Sequence, residues 1–158
     1  MRVAVLGAGK IGRHHVRAYI DAGADVVAIL GSTRESAQVT AARLNEELGT
    51  NIKSYSDLEQ LVEQESLEAV SVCTPNHLHE PHTSTALLNG IDVLCEKPLV
   101  WDTKESPGQN GQNFEVAKSL VELAYNRGRI LALNTQLVAP FELYLQEYLR
   151  RFLTYERF

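Results

Sequence analysis

Short apolar runs recur along this chain at regular intervals, and each is separated from the next by a stretch whose apolar residues return at helical spacing. The runs read as strands at Val3–Leu6, Asp25–Leu30, Ala69–Cys73, Asp92–Cys95 and Ile130–Leu133, with a shorter one at Ile52–Tyr55. Helical patterns fill the intervals over Gly12–Ala22, Ser36–Leu48, Ser56–Gln64, Pro81–Asn89 and Phe114–Arg127. Four of them end against a glycine (Gly23, Gly49, Gly90, Gly128), which predicts a left-handed residue closing the helix before the chain returns to the sheet. Strands rich in Val, Ile, Leu and Ala on both faces must be covered twice. The fold class is therefore α/β: a doubly wound parallel sheet of the Rossmann type, in one domain between two helix layers. Right-handed crossovers then give the strand order 3-2-1-4-5-6, with ligands at the carboxyl edge where that order reverses.

The 158 residues, 44% of them hydrophobic, suffice for one such domain over residues 1–138, followed by a tail over 139–158. A net charge of -5, without a dense Lys/Arg cluster, argues against nucleic acid as a partner. No apolar run reaches the roughly 20 residues that span a bilayer, and Met1 leads straight into a strand, so no membrane partner and a cytoplasmic location are expected. Cys73 and Cys95 both fall in predicted buried strands and read as free thiols.

Gly7, Gly9 and Gly12 lie where the first strand turns into the first helix, the context that gives a G-x-G-x-x-G match its meaning. Gly7 permits the tight turn, Gly9 lets the backbone approach a pyrophosphate, and Gly12 lets the helix lie against the strand. Lys10 and Ile11 complete the first helical turn, whose unpaired amides and dipole favour an anion. After the second strand an acidic residue would mark an NAD site, yet the chain reads Leu30-Gly31-Ser32-Thr33-Arg34. Ser32, Thr33 and Arg34 suit a 2'-phosphate, so NADP is expected over NAD. Ser32 or Thr33 also qualifies as the cap of the next helix.

Two further turns leave strands on the same edge: Cys73-Thr74-Pro75-Asn76-His77-Leu78-His79-Glu80-Pro81 and Cys95-Glu96-Lys97-Pro98-Leu99. Together with Gly7-Ala8-Gly9-Lys10-Ile11-Gly12 and His15, and over roughly residues 1 to 138, they resemble the family of glucose-fructose oxidoreductase, inositol dehydrogenase and MocA. The resemblance implies NAD(P)-dependent hydride transfer on a sugar, polyol, nucleotide sugar or related carbonyl compound. It also implies that Lys97 is catalytic, moving a proton at the substrate oxygen, and that the Glu96-Lys97 turn approaches the nicotinamide. A partly desolvated lysine near a cofactor has the chemistry for that task. Thr74, Pro75, Asn76 and His77 would line the ribose and nicotinamide side.

His77, His79 and His82 are close enough to suggest zinc, but no acidic or thiol ligand stands at a matching spacing, so no metal is expected. His14 and His15 read as packed or hydrogen-bonded rather than catalytic. The stretch from Trp101 to Asn113 is longer and more polar than the usual link and reads as a loop. No histidine follows His82, and the family's C-terminal substrate domain is not in this sequence. In the tail, Phe141, Leu145, Tyr148, Leu149, Phe152 and Tyr155 make an apolar helical stripe, for which a homodimer is the expected cover. The alternatives to an oxidoreductase with an unknown small-molecule substrate are a stand-alone NADP-binding module and a truncated gene product.

Overall fold

In the computed structural model, which describes residues 1–101 and 110–135, six parallel strands form one sheet in the order β3-β2-β1-β4-β5-β6. The elements alternate as β1 (Arg2–Leu6), α1 (Lys10–Asp21), β2 (Asp25–Leu30), α2 (Arg34–Leu48), β3 (Lys53–Tyr55), α3 (Leu58–Gln64), β4 (Ala69–Val72), α4 (His79–Leu88), β5 (Asp92–Glu96), α5 (Asn110–Arg127) and β6 (Leu131–Asn134). The doubly wound order expected from the sequence is the order found. Gly23, Gly49, Gly90 and Gly128 all take positive φ, as the helix stops predict.

Alternation along each strand divides the core in two. Val5 and Ile29 join Val16, Ala41 and Leu44 under α1 and α2, while Leu6, Leu30, Val70, Val72 and Val93 join Leu61, Leu87 and Ala124 under α3, α4 and α5. Both faces of β1, β2 and β4 are buried, which is why their sequences show no polar alternation.

All five helices begin elsewhere than the periodicity suggests: α2 starts at Arg34, two residues earlier and directly after its Thr33 cap, and α3 at Leu58, two residues later and directly after its Asp57 cap. Helix α1 starts at Lys10, two residues earlier, because the fingerprint itself forms its first turn. Helix α4 follows a 3-10 turn over Asn76–Leu78 and starts at His79. Helix α5 starts at Asn110, inside the stretch read as a loop, since periodicity reveals a helix only from its first apolar residue, here Phe114. Residues 102–109 of that loop and the amphipathic tail lie outside the described residues. Among the described residues no helix is long and apolar enough to cross a membrane. Cys95 is buried in β5, whereas Cys73 sits just past β4 and is half-buried; both are free thiols.

A buried carboxylate ties β1, β3 and α3 together. Glu65, which caps α3, accepts from Lys53 Nζ at 2.7 Å, Tyr55 Oη at 2.6 Å and Arg2 Nη2 at 3.3 Å, with its side chain only 2% exposed. Burial raises its pKa, but the bonds from Lys53 and Tyr55 and the charges of Lys53 and Arg2 outweigh that and hold it below the ordinary value. Tyr55 moves the other way, pushed up to about 12 by burial and by the adjacent carboxylate.

Candidate functional site

The ladder runs one residue past the strands, from Gly7 N to Leu30 O at 2.8 Å, from Cys73 N to Leu6 O at 2.7 Å and from Gly31 N to Tyr55 O at 2.9 Å. The chain therefore leaves β1, β2 and β4 at one level of the carboxyl edge. Between these exits lies a cleft of about 840 Å3. Gly7, Gly9, Lys10 and Ile11 form one wall, Gly31 and Ser32 a second, and Thr74, Pro75 and His77 a third.

The two outer fingerprint glycines are required by the protein itself. Gly7 has φ +124°, and a Cβ there would stand 2.5 Å from the Cys73 carbonyl oxygen; a Cβ on Gly12 would collide with the carbonyl oxygen of Gly7. Gly9 differs. A Cβ at Gly9 meets nothing within 4 Å, so it would project into open space, which is what a close approach by a ligand needs. Gly9 is also the N-cap of α1, with no side-chain cap and no acidic residue in the first turn. The orphan amides and positive end of α1 are thus left for an anion, and the cleft they face has room for a dinucleotide. Gly31 sits against α2, where a Cβ would lie 2.8 Å from Ala37 N.

The remaining predicted residues divide. Thr33 caps α2: its Oγ1 accepts from Ser36 N at 3.1 Å while its own amide donates to Ser36 Oγ at 3.2 Å. Arg34 is exposed at the first helical position, outside the cleft lining, and Asn76 is exposed in the 3-10 turn. Lys97 is exposed, follows β5, and also lies outside the lining; its peptide bond to Pro98 is cis. Glu96 is buried and its carboxylate turns to His15 and Asn134.

Two histidines considered as metal ligands have other partners. His79 is 1% exposed, with Nδ1 2.7 Å from Pro98 O and Nε2 2.8 Å from Thr74 O, so one ring links the exits of β4 and β5. His82 lines the cleft with Nδ1 3.3 Å from Thr74 Oγ1; burial lowers its pKa, assisted by the neighbouring His79 and His77. Cys73 also lines the cleft, and burial pushes its thiol up to about 12, which disfavours the thiolate. Ser36, Ser56 and Leu58 reach the lining as well. Their only sequence signal is their position after β2 and β3, whose exits the topology places on this edge.

A parallel sheet in this order, with a glycine turn and an uncapped helix start at its switch point, defines a dinucleotide-binding Rossmann domain. A family model described as "Oxidoreductase family, NAD-binding Rossmann fold" matches residues 1–135, and the chain belongs to that family. It is 32% identical over 129 residues to inositol 2-dehydrogenase 4 of Saccharopolyspora erythraea, a match covering 80% of this chain and 37% of that protein. Identity to D-glucoside 3-dehydrogenase of Escherichia coli is 33% over 139 residues, 86% of this chain and 37% of the other. Among solved structures, UDP-N-acetylglucosamine 3-dehydrogenase GnnA from Acidithiobacillus ferrooxidans superposes with TM-score 0.73 at 27% identity, over 94% of this chain and 43% of that one. The chain thus spans little more than a third of the length of the curated relatives it matches.

Proposed function

We propose that this chain forms the nucleotide half of a nicotinamide-dependent dehydrogenase acting on a hydroxyl group of a polyol, sugar or nucleotide-sugar substrate, with NADP preferred to NAD. The observation that carries the reading is the uncapped start of α1 facing an open cleft at Gly9. The amides of the Gly7–Gly12 turn hold the pyrophosphate, Thr74, Pro75, Asn76 and His77 serve the nicotinamide side, and the backbone of the Glu96-Lys97 turn approaches it while the Glu96 carboxylate faces His15 and Asn134. When bound, the nicotinamide ring supplies the hydride acceptor or donor. Lys97 takes the proton from the substrate hydroxyl in oxidation and returns it in reduction. The dehydrogenases to which the chain is similar act on inositol, glucosides and UDP-N-acetylglucosamine, which supports a hydroxyl-rich substrate class.

The exposure of Lys97 outside the cleft lining favours a second reading, a nucleotide-binding module without turnover. Assay of inositol and D-glucosides with NADP+ separates the two, since only the first reading yields NADPH. The nucleotide preference has its own test. Thr33 is committed to capping α2, which leaves Ser32 and Arg34 for a 2'-phosphate. Arg34→Ala is expected to weaken NADPH binding about tenfold, or 1.4 kcal/mol, with NADH affinity unchanged; equal losses for both nucleotides in a fluorescence titration would remove the assignment. Gly12→Ala is expected to weaken both by at least about tenfold, because α1 must withdraw from Gly7 and take the amides with it. We also propose that the tail stripe over 140–158 pairs two copies of the chain. A sedimentation profile containing monomer alone would exclude the pairing.

A further inference from the structure

Four side chains from four elements meet outside the cleft lining, and the reading above gives them no collective role. His15 of α1 has Nε2 3.0 Å from Glu96 Oε1 and Nδ1 2.7 Å from Ser71 Oγ of β4. Asn134 of β6 donates to the same Glu96 Oε1 at 2.6 Å. The His15 and Glu96 side chains are 14% and 11% exposed, so this is a largely desolvated group. An ionised carboxylate only accepts, hence His15 Nε2–H donates to Glu96, and the Ser71 hydroxyl partners the other ring nitrogen. One oxygen of Glu96 is thereby held by two donors, and among the described residues no hydrogen bond engages Oε2.

Glu96 is the last residue of β5 and the residue before Lys97. Its partner His15 stands in the helix whose N-cap is Gly9 and whose first turns carry the glycine fingerprint. A helix is stiff over this distance. The His15–Glu96 bond therefore joins the element that seats the nucleotide to the strand end that presents the lysine. The bonds of His79 to Thr74 O and Pro98 O join the exits of β4 and β5, but do not involve α1.

We propose that His15, with Asn134, is a positioning residue that fixes the exit of β5, and so Lys97, relative to the nucleotide bound at α1. The inference rests on the reading of Lys97 as the proton-handling group.

His15→Gln and His15→Asn test it, because the amide nitrogen of Gln falls near the place of Nε2 and that of Asn near Nδ1. The Gln variant keeps a donor to Glu96, whereas the Asn variant keeps only a partner for Ser71. For NADP+-dependent oxidation of inositol or a D-glucoside, His15→Asn is expected to lower kcat about tenfold to hundredfold, the scale of a small misplacement, and His15→Gln to remain within about threefold of wild type. NADPH affinity should stay within about threefold in both, since none of Glu96, Asn134 and Ser71 lines the cleft. Equal loss of kcat in the two variants would overturn the proposal, because a packing role does not distinguish them. Absence of turnover in the wild type would instead remove the catalytic reading of Lys97. The positioning claim is then judged by the Glu96 and Lys97 amide resonances in the folded variants. Displacement in His15→Asn and its absence in His15→Gln uphold it; resonances unmoved in His15→Asn, or moved equally in both, overturn it. Asn134→Leu removes the second donor and should reproduce the His15→Asn pattern, which guards against an uninformative unfolded variant.

Discussion

Lys97→Ala is expected to reduce NADP+-dependent oxidation of a polyol or glucoside by about 100-fold or more, the range contributed by a positioned general acid or base. NADPH affinity should be nearly unchanged, because the proposed task of Lys97 is at the substrate oxygen and not at the nucleotide. That combination is diagnostic: loss of turnover with binding intact places Lys97 at the reacting oxygen, whereas loss of both would make it a nucleotide contact. Lys97→Arg should not restore activity, since a guanidinium keeps its proton through the whole working pH range. Steady-state rates from NADPH absorbance, set beside a fluorescence titration of each variant, give both quantities. If the wild type turns over none of these substrates while binding NADPH, the chain is a nucleotide-binding module by itself.

Glu65→Ala is expected to cost about 3 kcal/mol of stability, the low end for breaking a buried ion pair. The low end applies because Lys53 and Arg2 are 59% and 43% exposed and regain water when the carboxylate is gone, while the Tyr55 hydroxyl keeps the Gln64 Oε1 acceptor at 3.4 Å. For a domain of this size the melting temperature should fall by about 6–12 °C, read by circular dichroism. The pH dependence carries its own sign. Because the folded-state pKa of Glu65 is held below the unfolded value near 4.5, its stabilisation is present above that value and is lost as the pH falls through the folded one. Tyr55 sets the opposite limit. Its pKa rises from 10.0 to about 12 on folding, so the neutral phenol favours the native state below pH 10.0 and that contribution is lost between the two values. Glu65→Gln should flatten the acid limb of the stability curve; an unchanged acid limb would show that other carboxylates govern it.

The sheet order was legible because Val3–Leu6, Asp25–Leu30 and Ala69–Val72 are apolar on both faces, and handedness leaves few ways to connect such strands. Gly7 and Gly12 were legible for a local reason, a strand turning into a helix within a few residues. A cap at Ser32 or Thr33 was readable for the same reason, and the structure assigns it to Thr33, whose partner Ser36 is three residues away. What the sequence could not disclose are bonds closed by the tertiary fold. Glu65 and Arg2 are 63 residues apart, His15 and Glu96 are 81 apart, and both pairs exist only because β1, β4 and β5 lie side by side. His79 is instructive: its spacing from His77 and His82 suggests a ligand set, yet its ring is occupied by the carbonyls of Thr74 and Pro98. Backbone carbonyls carry no signature in a residue string. The cleft contacts of Ser56 and of Leu58, the first residue of α3, depend likewise on where the fold carries the chain after β3.

The amide resonances of the nucleotide-free chain, followed during addition of NADPH, test the central claim most directly. Saturable shifts concentrated at Gly7, Gly9, Lys10 and Ile11, with a second group at Gly31 and Ser32, are the predicted result. An unchanged spectrum, or saturable shifts confined to residues away from the carboxyl edge, would contradict it.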